Sequence, residues 1–214
     1  MPVITLHRDR FCRLLGREMS IEELEEWLPW IALDIEDVGP DYIKVEYNPN
    51  RVDFSSPVGI ARALKGLLGL EVGLPRYEAP LGPVEIIVQP GVERVRPYVV
   101  GAVVRGLELG EQELQELIEM QEDLHWGIGR DRRKAAIGLH DLSAVKTPIY
   151  YAAFRPDEKR FVPLDAEEEM TLGEVLEKHE KGRMYGHLVS FSDVYPVVMD
   201  AEGRVMSFPP VINS

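Results

Sequence analysis

Polar and apolar positions along this chain recur with two periods, and each period marks a different kind of element. Ser20-Ile21-Glu22-Glu23 has the spacing of a capping box: the serine oxygen accepts from the third helical N–H and Glu23 reaches back. The helix it opens carries Ile21, Leu24 and Leu28 on one side, and Pro29 bends or ends it. Ile43-Lys44-Val45-Glu46-Tyr47 alternates with period two, which predicts a half-buried strand. Ser56-Pro57 supplies a cap and a first turn for a helix through Leu68, stopped by Gly69 and Gly73. Residues 3–70 therefore read as a small mixed unit.

Residues 73–83 are rich in glycine and proline, which predicts a domain boundary. A new sheet begins at residues 84–88. Residues 98–104 are almost continuously apolar, as in a strand buried on both faces. Residues 111–128 give the clearest helix, with Leu114, Leu117, Ile118, Leu124 and Ile128 as its apolar stripe. Residues 135–139 and 149–154 read as strands. Thr171-Leu172-Gly173-Glu174 is a second capping box, opening a helix that runs to His179. The chain closes on a hairpin: Tyr195-Pro196-Val197-Val198-Met199, a tight turn at Asp200-Ala201-Glu202-Gly203, a second strand, and a break at Pro209-Pro210. The expected class is α+β, with a small N-terminal α/β domain at 1–75 and a mixed-sheet domain with flanking helices at 84–214.

Composition narrows the function. The net charge of −13 argues against a protein held to RNA chiefly by phosphate contacts, so any such contact is local or is supplied by a partner. The single cysteine, Cys12, excludes a disulfide framework and fits a reducing cytoplasm. No apolar run reaches membrane-span length, and no signal-peptide pattern is present. Few Asn and Gln beside many Glu and Arg is a thermophile-like bias.

General catalytic patterns fail. His179-Glu180 begins a zinc-protease motif, but position 183 is Arg. Gly127-Ile128-Gly129 follows a helix and lacks its third glycine, so it is not a dinucleotide fingerprint. There is no Gly-x-Ser-x-Gly elbow, and scattered histidines with one cysteine leave no metal site. Arg130, Arg132, Arg133 and Lys134 form the one dense basic run, with two readings: a clamp on nucleic-acid phosphates, or a solvated turn at a helix C-terminus. Asp141 suits a cap for the turn that follows it. His140 stands open between orienting a water or binding a substrate and capping the turn that follows. His179 and His187 read as surface or packing positions.

Several stretches, in order, resemble one family. They are Asn50-Arg51-Val52-Asp53 with Gly59-Ile60-Ala61-Arg62, Arg96-Pro97-Tyr98, Leu117-Ile118-Glu119-Met120-Gln121, Ala136-Ile137-Gly138-Leu139-His140-Asp141-Leu142, Glu169-Met170-Thr171-Leu172, Tyr185-Gly186-His187-Leu188 and Ser207-Phe208-Pro209-Pro210-Val211-Ile212-Asn213-Ser214. Together they resemble the beta subunit of archaeal and eukaryotic cytosolic phenylalanyl-tRNA synthetase, in its N-terminal part with the editing module. Val52 departs from the family's usual proline; Arg51 and Asp53 are placed to pair.

The resemblance implies that residues 84–214 are an editing domain, incomplete at its C-terminal end, that hydrolyses Tyr-tRNA(Phe) through a positioned water. It implies Ser207 and Asn213 as catalytic and substrate-binding residues and Val198 as an apolar wall; His140 is a further candidate substrate contact, and Arg130, Arg132, Arg133 and Lys134 are candidate tRNA contacts beside their reading as a solvated turn. It implies no cofactor in this part; ATP and Mg2+ belong to the parent enzyme's ligation step. The partners implied are tRNA(Phe), a tyrosine-like amino acid ester and the synthetase alpha subunit, in a cytoplasmic heterotetramer without membrane contact. Two rivals stand beside it: a non-catalytic scaffold that docks tRNA or the alpha subunit, and a free-standing deacylase.

Overall fold

The computed structural model describes residues 2–214. They divide into two compact units, Met1–Glu78 with Glu108–Asp131 and Ala79–Leu107 with Arg132–Ser214.

The first unit runs β1 (Val3–His7), α1 (Arg8–Leu15), α2 (Ile21–Trp27), β2 (Asp34–Val38), β3 (Tyr42–Glu46) and α3 (Pro57–Leu67). Its three strands pair antiparallel in the order β1-β3-β2. Alternation in β3 points Ile43 and Val45 into a core shared with Leu6, Phe11, Leu24 and Leu64. The capping box at Ser20 is complete, with Ser20 Oγ accepting from Glu23 N and Glu23 accepting from Ser20 N. Pro29 falls in a short 3-10 turn, Leu28–Ile31, directly after α2. Arg51 grips Asp53 with two hydrogen bonds of 3.0 and 2.8 Å and stacks on the Phe54 ring at 3.6 Å. At Gly59 a Cβ would lie 1.7 Å from the Asp53 carbonyl oxygen, so only glycine lets α3 start against that turn.

Helix α4 (Glu111–Trp126) counts with this unit rather than with the segments that flank it in sequence, so the units are not the contiguous pair 1–75 and 84–214. Polar contacts hold it: Arg10 pairs with Glu113 and Glu116, and the buried Tyr47 hydroxyl donates to Asp123 at 2.7 Å. Its expected apolar stripe is only partly used. Leu117 and Leu124 are half-buried, whereas Leu114, Ile118 and Ile128 are exposed.

The second unit is built on a five-stranded sheet ordered β10-β9-β8-β5-β4. Its strands are β4 (Ile86–Val88), β5 (Ile149–Phe154), β8 (Tyr195–Met199), β9 (Val205–Phe208) and β10 (Ile212–Asn213). Only the β4–β5 pair is parallel. Between β5 and β8 the chain forms the ribbon β6 (Arg160–Phe161) and β7 (Met170–Thr171), then α5 (Leu172–Lys178) and α6 (Glu180–Tyr185). Thr171 and Glu174 complete the second capping box. Val175, Leu172, Val197, Phe208 and Ile212 meet in this unit's core.

Two expected strands are absent. Residues 98–104 and 135–139 carry no ladder hydrogen bonds. A run buried on both faces needs a neighbour on each side, yet Tyr98 and Val100 are 89% and 95% exposed, so no element of the described residues covers them. Residues 98–104 still run close to the sheet edge, since a Cβ at Gly101 would lie 2.7 Å from Ile86 Cδ1.

Candidate functional site

The closing hairpin places side chains by alternation. Val197, Phe208 and Ile212 enter the core, so their neighbours Val198, Ser207 and Asn213 face the other side of the sheet. The register then aligns them. Val198 lies opposite Ser207, and Ser207 lies opposite Asn213. The same row continues through Tyr151, opposite Val198, to Val88, opposite Tyr151. Directly opposed residues hold their Cβ atoms about 5 Å apart. One hydroxyl, one carboxamide, one isopropyl wall and one phenol thus stand side by side across four strands. A register irregularity follows at once, with Met199 opposite Val205. Bulges of this kind re-aim side chains at the rim of a site.

His140 reaches the same place from a loop. A Cβ at Gly138 would fall 3.0 Å from His140 Nε2 and 3.3 Å from Asn213 Oδ1, so imidazole and carboxamide both lie against the bare backbone of Gly138. His140 is exposed at its loop position, and desolvation on the side that packs against the protein holds its pKa below the ordinary value of about 6.5. Ser207 is buried, while Asn213 and Val198 are half-buried. Tyr151 is fully buried and donates its hydroxyl to the Arg96 carbonyl at 2.8 Å; burial pushes its pKa up to about 12. Tyr151 and Gly138 escaped the sequence reading. The period-two pattern identified residues 149–154 as a strand, but strand register is invisible in one sequence.

The basic run is not uniform, which corrects its reading as one surface turn. Arg130, Asp131 and Arg132 all have positive φ, of 50, 55 and 62°, and this left-handed turn carries Arg132 inward. Arg132 is buried. Its Nη1 donates to the carbonyls of Pro210 and Val211 at 3.2 and 3.1 Å, and its guanidinium lies 4.3 Å from the Tyr185 ring centroid. Arg130, Arg133 and Lys134 are exposed, and Arg130 belongs to the first unit.

His179 has a local task. It is buried, with Nε2 at 3.1 Å from the Leu164 carbonyl and Nδ1 accepting from Lys181 N. Asp141 caps its turn by accepting from Ser143 N. Two cavities lie away from the row: one of about 20 Å³ beside Tyr47 and Asp123, and an open one of about 500 Å³ between Asp165 and Lys181. Among the described residues no group of three or more His, Cys, Asp or Glu is placed to hold a metal ion. No helix among them is long and apolar enough to cross a membrane.

Charge is divided unevenly. The first unit carries 22 acidic and 10 basic side chains, a net of −12; the second carries 15 and 14, a net of −1.

No family model matches the chain. Its whole length aligns with archaeal proteins described as phenylalanine–tRNA ligase beta subunits. That of Methanosphaera stadtmanae is 44% identical, with 38% of its length covered. That of Archaeoglobus fulgidus is 46% identical, with 39% covered. That of Methanopyrus kandleri is 50% identical, with 37% covered. The chain therefore spans less than two fifths of these relatives. A crystal structure of an N-terminal fragment of the phenylalanyl-tRNA synthetase beta subunit from Pyrococcus horikoshii superimposes with a TM-score of 0.94 at 43% identity, matching all of this chain and 62% of that one.

Proposed function

Since the chain belongs to the archaeal phenylalanine–tRNA ligase beta-subunit family, aligned with that subunit's N-terminal fragment, we propose that its second unit edits. It hydrolyses the tyrosyl ester of mischarged tRNA(Phe). The observation that carries this reading is the alignment of Val198, Ser207 and Asn213 on one face of the sheet, with His140 beside Asn213.

Tyrosine is phenylalanine plus one hydroxyl, and an apolar synthetic pocket rejects such an isostere poorly. A second site that hydrogen-bonds the hydroxyl discriminates the other way, because phenylalanine leaves its polar groups unpaired. The Ser207 hydroxyl and the Asn213 carboxamide are groups of that kind, with Val198 as the wall for the ring. The ester is already activated. A held water adds its oxygen to the carbonyl carbon, the bond from that carbon to the ester oxygen of the tRNA's terminal ribose breaks, and the water's proton ends on that oxygen. Positioning and donors for the developing oxyanion suffice, with no covalent nucleophile. An imidazole nitrogen of His140 can accept a hydrogen bond from that water.

RNA is met by the second unit, through Arg133 and Lys134, since the first unit's net charge of −12 repels phosphate. The parent enzyme joins phenylalanine to tRNA in the cytoplasm with an alpha subunit; ATP and Mg2+ serve that ligation, and no step of the hydrolysis is routed through them.

The test is deacylation of Tyr-tRNA(Phe) and Phe-tRNA(Phe) by the chain and by Ser207→Ala and Asn213→Ala. The tyrosyl ester is expected to be lost selectively, and each substitution to slow that loss about 10–100-fold. A folded chain that spares both esters would favour the scaffold reading.

A further inference from the structure

The mechanism above leaves unused a buried cation, Arg132, beside the bend that joins β9 to β10. We infer that Arg132 is the positioning residue for Asn213. The functional half of this inference rests on the editing reading; the structural half does not.

Asn213 sits on a strand of only two residues. Such a strand has little ladder of its own, so its position is set by what grips the chain on either side. On the far side, Leu164 N donates to the Asn213 carbonyl at 2.9 Å, and Ser214 N donates to the Met206 carbonyl at 3.1 Å. On the near side, the bend closes with Val211 N donating to the Phe208 carbonyl at 2.8 Å. The carbonyls of Pro210 and Val211 then accept from one nitrogen of Arg132. The two residues immediately before β10 are thus held by a single guanidinium.

That guanidinium is itself fixed. It lies over the Tyr185 ring, in the core. Its backbone carbonyl accepts from Arg96 Nη2 at 3.0 Å, and the Arg96 carbonyl accepts from the Tyr151 hydroxyl. Tyr151 belongs to the same cross-strand row as Asn213. One chain of contacts, Tyr151–Arg96–Arg132–bend, therefore ties the phenol of the row to the strand carrying its carboxamide. Lysine cannot replace arginine here: an ammonium is a point charge on a flexible stem, without a planar fork or a stacking face. Burying a cation is costly unless its partners are well placed, so this position demands arginine and rewards a fixed geometry.

The experiment is Arg132→Lys in the full chain, read two ways. The chain holds three asparagines, Asn48, Asn50 and Asn213, so a side-chain amide spectrum on 15N-asparagine protein has three pairs of signals, with Asn213 assigned by its loss in Asn213→Ala. In Arg132→Lys the Asn213 pair is expected to shift or broaden while the Asn48 and Asn50 pairs stay in place. Preference for the tyrosyl over the phenylalanyl ester is expected to fall about 10–100-fold. The double variant Arg132→Lys/Asn213→Ala is expected to be no slower than Asn213→Ala alone, because both changes act on one group. An unmoved Asn213 pair in folded protein, or losses that multiply in the double variant, overturns the inference. Should Arg132→Lys fail to fold, Tyr185→Leu removes the ring beneath the guanidinium, and the same two readouts apply with a smaller expected shift. Should the unaltered chain hydrolyse neither ester, the editing reading fails, and the amide spectrum alone decides the role of Arg132.

Discussion

Glycine 138 is the residue on which the proposed site turns most sharply. Its missing side chain leaves room for a loop histidine and a strand asparagine to lie against the same point of the backbone. Gly138→Ala places a methyl 3.0 Å from His140 Nε2 and 3.3 Å from Asn213 Oδ1, so both groups must move by a few tenths of an ångström. The position is exposed, and the expected stability change is below about 0.5 kcal/mol. Tyrosyl-ester hydrolysis is expected to slow about tenfold, since small misplacements near reacting atoms are costly. Deacylation kinetics beside a thermal melt check it; a variant as active as the parent would remove Gly138 and His140 from the site. Nothing in residues 136–142 read as sequence distinguishes this glycine from an ordinary loop glycine. Its meaning comes from contact with a side chain 75 positions away.

The turn between β8 and β9 makes a comparable argument at the scale of the element. Asp200 is 2% exposed and accepts from Glu202 N, from Arg204 N and from the Arg204 guanidinium, and more distantly from Lys146 N. Burial opposes its charge, but the hydrogen bonds from Arg204 and neighbouring backbone prevail and lower its pKa. A carboxylate with a folded pKa below its unfolded value stabilises above that unfolded value. The contribution is lost as pH falls from about 4 through the folded value. Asp200→Ala is expected to cost about 2–4 kcal/mol at pH 7 and to flatten the acid limb of the stability curve, measured by denaturant titration at several pH values. The sequence showed this hairpin well. The Asp-Ala-Glu-Gly turn and its two apolar flanks are local signals, as are the capping boxes at Ser20 and Thr171. It failed at residues 98–104 and 135–139, where apolar content without a covering partner cannot make a strand. It failed again at Arg132, where three left-handed residues turn one member of a basic run inward. Pairing and burial depend on distant chain, and a local pattern does not record them.

For the molecule as a whole the uneven charge is decisive. The acidic edge strand β2, with Asp34, Glu36 and Asp37 exposed, discourages edge-to-edge pairing. It gives a polyanion no foothold, whereas the second unit is nearly neutral and holds exposed Arg133 and Lys134. Changing both to alanine is expected to raise the KM for tRNA several-fold at low salt, with little change in kcat. It should also reduce the slope of log KM against log salt by about 1–2. A salt slope unchanged by the double substitution would place the RNA elsewhere.

The two faces of the closing hairpin carry one further consequence. Phe208 and Ile212 look one way, Ser207 and Asn213 the other, so a strand displaced by one residue would send a hydroxyl and a carboxamide into the core and turn two apolar side chains out. Misplaced chemistry and misfolding are then the same event. A molecule that has packed its interior has already faced its polar groups correctly, and any cellular process that removes unfolded chains also removes the misassembled sites.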